Sequence, residues 1–152
     1  MLNKAARSGR FLQRAETLAE TLRARDPIDG MSTAESARRD AARLKVLFVC
    51  SLNRWRSPTA ERVWARHSHV DARSAGTSSR ARHPVSASDL AWADVVVVME
   101  DKHRARLLAD FRALLARKPV HVLDIPDDYK FMDPDLVELL RAPVAELLGL
   151  DE

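Results

Sequence analysis

An apolar run, Val46-Leu47-Phe48-Val49, ends at Cys50, the only cysteine in the chain, and after five intervening residues come Arg56, Ser57 and Pro58. The run reads as a buried strand, and Ser57-Pro58 reads as a helix start, with serine at the N-cap and proline at the first helical position. A strand that delivers a thiol to a short loop, with a helix N-terminus aimed at the same point, leaves few folds open. The loop amides turn inward around a tetrahedral oxyanion, and the site favours a thiolate. Cys50 is then the expected nucleophile, and Arg56 offers a planar fork of donors to two phosphate oxygens. The amides of Ser51, Leu52, Asn53, Arg54 and Trp55 form the expected substrate-binding loop. Asn53 tolerates the positive φ that such a loop requires, and the Ser57 hydroxyl can donate to the sulfur. A lone cysteine at a strand end is commonly a small buried apolar residue. The strand before it and the helix start after it are what point to an oxyanion site.

Downstream, helix and strand signals alternate. Residues 58–67 read as a helix with Ala60, Val63, Trp64 and His67 toward one face, and 69–74 as a short strand leading to a turn at Gly76. Ser86-Ala87-Ser88-Asp89 is a capping box opening a helix through Trp92. Residues 95–99 form an uninterrupted run of the kind found in strands covered on both faces. Residues 101–116 carry Leu107, Leu108, Phe111, Leu114 and Leu115 at helical spacing, and 119–123 form the last strand. Asp133 caps a final helix over 134–148, which Pro143 either kinks or splits. This alternation predicts an α/β fold: a three-layer sandwich with a four-stranded parallel sheet. The site belongs beyond the carboxyl end of the first strand, where Cys50 stands.

Val-Leu-Phe-Val-Cys-x4-Trp-Arg-Ser-Pro-Thr-Ala-Glu resembles the phosphate loop of low-molecular-weight protein tyrosine phosphatases. Further pieces follow in that family's order: Ser74-Ala75-Gly76-Thr77, residues 93–99, and Asp124-Ile125-Pro126-Asp127-Asp128-Tyr129. The resemblance covers residues 45 to 150 and is closest to a shortened branch of predicted tyrosine phosphatases. It implies a cysteine-dependent phosphomonoesterase working through a phosphocysteine intermediate, without a cofactor, on phosphate esters such as phosphotyrosine proteins. It also implies a general acid in the acidic loop. Asp127 is the best match and Asp128, which replaces the family's proline, is its competitor. Tyr129 either lines the cleft against an aromatic substrate or covers the core edge. The departures are specific. Leu52 stands where the family usually has glycine, Trp55 stands where many members have a second cysteine, and the stretch between Gly76 and Asp94 is short, which takes away part of the cleft wall.

Charge places the chain's partners. Residues 1–44 hold nine Lys/Arg against six Asp/Glu, and residues 45–152 hold sixteen of each, so the net +3 belongs to the N-terminal part. A formally neutral core argues against nucleic acid. No apolar run approaches the roughly 20 residues that span a bilayer, so no membrane is expected. One cysteine fits a reducing cytoplasm. The histidines are scattered without zinc spacing, so no metal is expected. Residues 1–44 read as a helical extension, ordered or partly disordered, preceding a phosphatase-like domain over 45–152. Phe11, Ala15, Leu18 and Leu22 share one stripe, and Ser32-Thr33-Ala34-Glu35 is a second capping box.

Two other functions fit the same motif. One is arsenate reduction, which here needs an external thiol because the chain has no further cysteine for a relay. The other is a non-catalytic module that binds a phosphorylated partner, for which Arg56 matters and Cys50 does not.

Overall fold

A strand that is apolar on both sides must be covered on both sides, and this requirement shapes the chain. The computed structural model describes residues 43–150. Its elements, in order, are β1 (Leu44–Cys50), α1 (Arg56–Trp64), β2 (Val70–Gly76), α2 (Ala87–Trp92), β3 (Val95–Val98), α3 (Asp101–Leu115), β4 (Val120–Val122) and α4 (Pro134–Leu148). The four strands form one sheet in the order β2-β1-β3-β4. All three pairings are parallel, and the registers set Cys50 beside Gly76 and Val49 beside Val98.

Side chains alternate between the two faces of the sheet. Leu44, Val46, Phe48 and Cys50 join Val95 and Val97 on one face, packed against Ala60 and Trp64 of α1 and Leu136, Leu140, Val144 and Leu148 of α4. Leu47 and Val49 join Val96 and Val98 on the other, packed against Leu90 of α2 and Leu107 and Leu115 of α3. The Trp64 indole donates to the Leu140 carbonyl at 2.9 Å, tying α1 to α4. The result is the expected three-layer sandwich with a four-stranded parallel sheet.

Several boundaries differ from expectation. α1 opens at Arg56 and closes at Trp64, with Trp55 at the N-cap making no side-chain cap bond. Ser57 therefore lies inside the first turn and is not the N-cap. β2 runs on through Gly76, which pairs with Pro84 in an isolated parallel bridge and is not a free turn. α3 contains a break at Phe111 (φ −137°, ψ 36°). α4 continues through Pro143. The carbonyl deprived of a donor there belongs to Leu139, a residue exposed to solvent. Asp133 caps α4 as expected, its side chain accepting from the Asp135 amide. The stripe at Phe11–Leu22 and the capping box at 32–35 lie outside the described residues.

Candidate active site

The loop after β1 is held from behind by its carbonyls. Cys50, Ser51 and Leu52 accept from the amides of Thr77, Ser78 and Arg82 at 2.9, 3.0 and 3.0 Å. In a trans peptide the N–H points opposite to the C=O. The amides of Ser51, Leu52 and Asn53 are therefore directed away from the 77–82 segment, onto the pocket side. At the other end of the loop, the first turn of α1 adds the unpaired amides of a helix N-terminus. The one left-handed residue in the loop is Asn53 (φ 54°). Leu52 carries no such strain.

Asn53 is buried behind the loop and spends both protons of its amide there. It donates to Ser57 Oγ and to Ser74 Oγ, each at 2.9 Å. Ser74 Oγ in turn donates to the Glu61 carboxylate. Ser57 Oγ lies 3.0 Å from Cys50 Sγ and 3.3 Å from the Ala75 carbonyl. Having accepted from Asn53, Ser57 keeps one proton for two acceptors, and a thiolate at Cys50 is the stronger claimant.

Arg56 is 2 % exposed. Its Nη1 donates to Glu100 Oε1 at 2.5 Å and to the Ile125 carbonyl at 2.8 Å. That hydrogen bond, opposed by partial burial, holds the Glu100 carboxyl below the usual carboxylate range. With Nη1 anchored, Nε and Nη2 remain as the guanidinium edge, and Nε lies 3.5 Å from Asp127 Oδ1. Cys50, Ser51, Leu52, Arg54, Trp55, Arg56 and Asp127 line one small cavity of about 40 Å³.

Most of the predicted site residues therefore meet. Both Asp127 and Asp128 are exposed, but only Asp127 lines the cavity and reaches Arg56. Tyr129 packs against the core cluster beneath α1 and α4 and is absent from the cavity wall. Asn53 and Ser57 support the loop from behind with their side chains. Arg54, Leu52 and Trp55 are exposed at the mouth.

Four participants carry no role in the sequence reading: Glu61 and Ser74, which lie inside the quoted motifs, and Glu100 and His103, which do not. Glu100 lies two residues past Val98, just beyond the carboxyl end of β3, where parallel sheets place site residues, and that rule is the signal the sequence offers. His103 is buried (1 % exposed) in the first turn of α3. Its Nδ1 accepts from the Glu100 amide at 3.0 Å, and its Nε2 lies 2.8 Å from Ser51 Oγ. Burial and the neighbouring Arg56 charge lower its pKa to about 4. Among the described residues no group of three or more His, Cys, Asp or Glu is arranged to hold a metal ion.

No protein-family model matches the chain, and no curated protein does. Solved structures do. The low-molecular-weight protein tyrosine phosphatase SP-PTP of Streptococcus pyogenes matches over 70% of this chain and 91% of its own, at 19% identity and a TM-score of 0.58. The phosphatase VcLMWPTP-2 of Vibrio cholerae O395 matches over 70% and 95%, at 21% identity and a TM-score of 0.53. The tyrosine phosphatase Wzb of Escherichia coli K30, solved with phosphate, matches over 63% and 89%, at 20% identity and a TM-score of 0.51. The chain has the fold of the low-molecular-weight protein tyrosine phosphatases.

Proposed function

We propose that this protein is a cysteine-dependent phosphomonoesterase acting on aryl phosphates of the phosphotyrosine type. One observation carries the reading: Cys50 and Arg56, at the two ends of one loop, and Asp127, from the segment after β4, line one small cavity. Cys50 Sγ attacks phosphorus, and Asp127 protonates the leaving oxygen, giving a phosphocysteine and a free phenol. Water then attacks phosphorus with Asp127 taking its proton, and inorganic phosphate leaves as the thiolate returns. The Nε–Nη2 edge of Arg56 and the loop amides hold the equatorial oxygens through both steps. Ser57 Oγ, beside the sulfur, stabilises it as leaving group in the second step. The cavity is narrow and its mouth carries Trp55 and Leu52, which suits a flat aromatic ester. No helix among the described residues is long and apolar enough to cross a membrane. The reading places the enzyme in the cytoplasm, where a lone thiol stays reduced.

Hydrolysis of p-nitrophenyl phosphate between pH 5 and 8 tests the reading. Cys50→Ser is expected to lose turnover altogether. Asp127→Ala is expected to lose roughly 10²-fold to 10⁴-fold in kcat, the usual share of a general acid. Asp128→Ala is expected to stay near wild type. Tight phosphate binding by a wild-type protein without turnover would instead favour a phosphoprotein-binding module.

A further inference from the structure

The N-terminus of α3, from its N-cap Glu100 to His103, holds the phosphate loop at two points. Glu100 grips Arg56 at the end of the loop, and His103 reaches Ser51 at its start. Hydrogen-bond accounting fixes the direction of the second contact. The Glu100 amide can only donate, so Nδ1 of His103 carries a lone pair. A neutral imidazole then carries its proton on Nε2, and Nε2–H donates to Ser51 Oγ. A hydroxyl that accepts from below keeps its own proton for another partner. Ser51 lines the cavity beside Cys50, so that partner lies on the pocket side.

We propose that His103 is a positioning residue for phosphate: by donating Nε2–H to Ser51 Oγ, it turns the Ser51 hydroxyl proton into the cavity as a further donor to the bound phosphate group. The assignment rests on the phosphomonoesterase reading and extends it to two residues. The burial that keeps His103 neutral near pH 7 agrees with its role as a fixed single-direction donor. The contact spans fifty-two residues of sequence and links α3 to the loop, so it also sets the register of one against the other.

Inhibition of p-nitrophenyl phosphate hydrolysis by inorganic phosphate tests it. Ser51→Ala and His103→Asn are each expected to raise the phosphate inhibition constant about tenfold, the usual worth of one hydrogen bond to a charged group. Asparagine keeps an acceptor near Nδ1 but does not reach Ser51. His103→Gln, whose amide nitrogen reaches the Nε2 position, is expected to return within about threefold of wild type. The double variant Ser51→Ala/His103→Asn is expected to stay near tenfold, because both changes remove the same donor. Circular dichroism melts establish that each variant is folded. A hundredfold, additive loss in the double variant overturns the proposal, as does wild-type inhibition of either single variant. A purely structural histidine would not be rescued by glutamine. If wild type neither turns over nor binds phosphate, the phosphomonoesterase reading falls first and this assignment with it. Normal wild-type inhibition with an unaffected His103→Asn removes this assignment alone.

Discussion

At the scale of single residues, the site is governed by the cost of burying polar groups. An almost fully buried guanidinium and a buried imidazole each need partners, and Glu100 serves both, through its carboxylate to Arg56 and its amide to His103. His103 gives this a measurable signature. Its folded pKa is about 4 against an ordinary 6.5, lowered by burial and Arg56, with Lys102 lowering it further and Glu100 and Asp127 raising it. Below pH 6.5 the unfolded chain takes up this proton before the folded one does. Folding stability from this group is therefore complete above pH 6.5 and is lost as pH falls toward 4, by about 3 kcal/mol in all. Glu100, also depressed, adds loss in the same direction at still lower pH. Urea melts at pH 7 and pH 4.5 check this: wild type should lose markedly more stability between them than His103→Asn. Equal losses would mean that His103 titrates normally. Cys50, Arg56 and Asn53 could be read from sequence because their chemistry is local to one loop. Glu100 and His103 meet the loop 44 and 52 residues away; the place of Glu100 just past the end of β3 is a general signal, and nothing near His103 announces its contact.

At the scale of elements, the loop owes its shape to the segment that follows β2. Gly76 lies where that segment crosses the loop, its amide donating to the His83 carbonyl and its carbonyl accepting from Val85. A Cβ at this position would stand 2.5 Å from Ala81 Cβ and 2.5 Å from the Ser51 carbonyl oxygen. Gly76→Ala is therefore expected to cost about 1–3 kcal/mol, as overpacking does. On the phosphomonoesterase reading it should also weaken phosphate binding, because the displaced backbone belongs to the loop after β1. Adding Ala81→Gly relieves one clash and leaves the other. The pair should recover part of the melting temperature while phosphate inhibition stays weak. Wild-type melting and inhibition in Gly76→Ala would show that the crossing is slack. The sequence marks Gly76 as a turn, and only the sheet register, Gly76 beside Cys50, reveals it as a spacer. Most helices and strands were legible from periodicity. The start of α1 was not, because Ser-Pro is a strong local start signal that here yields to the loop: Ser57 reaches the sulfur and the Ala75 carbonyl, and Arg56 enters the first turn.

Across the whole molecule, the strand order β2-β1-β3-β4 brings residues from all parts of the described chain to one end of the sheet. Cys50 follows from β1, Ser74 from β2 and Glu100 from β3. Backbone bonds from Leu123 to Val98 and from Ile125 to Met99 carry the sheet pairing past β4, which aims the Ile125 carbonyl and Asp127 at Arg56. The convergence concentrates polar chemistry around one sulfur, and the composition of the chain leaves that sulfur alone. Cys50 is the only thiol among 152 residues, and the Ser57 hydroxyl lies 3.0 Å from its sulfur. Peroxide that enters the cavity converts a thiolate to sulfenic acid, and a neighbouring cysteine would trap this as a disulfide. With Trp55 in the loop position where such a cysteine could stand, nothing within the chain stops the next oxidation to sulfinic acid, which dithiothreitol does not reverse. Brief peroxide treatment should therefore give inactivation that dithiothreitol restores, and longer treatment should give inactivation it does not restore. The peptide containing Cys50 should then carry two added oxygen atoms by mass spectrometry. Glutathione present during the exposure should preserve the recoverable fraction by capturing the sulfenic acid as a mixed disulfide. Full recovery after prolonged peroxide without added thiol would mean that the cavity itself halts oxidation at the first step, with Ser57 and the buried Arg56 shielding the sulfur from a second attack.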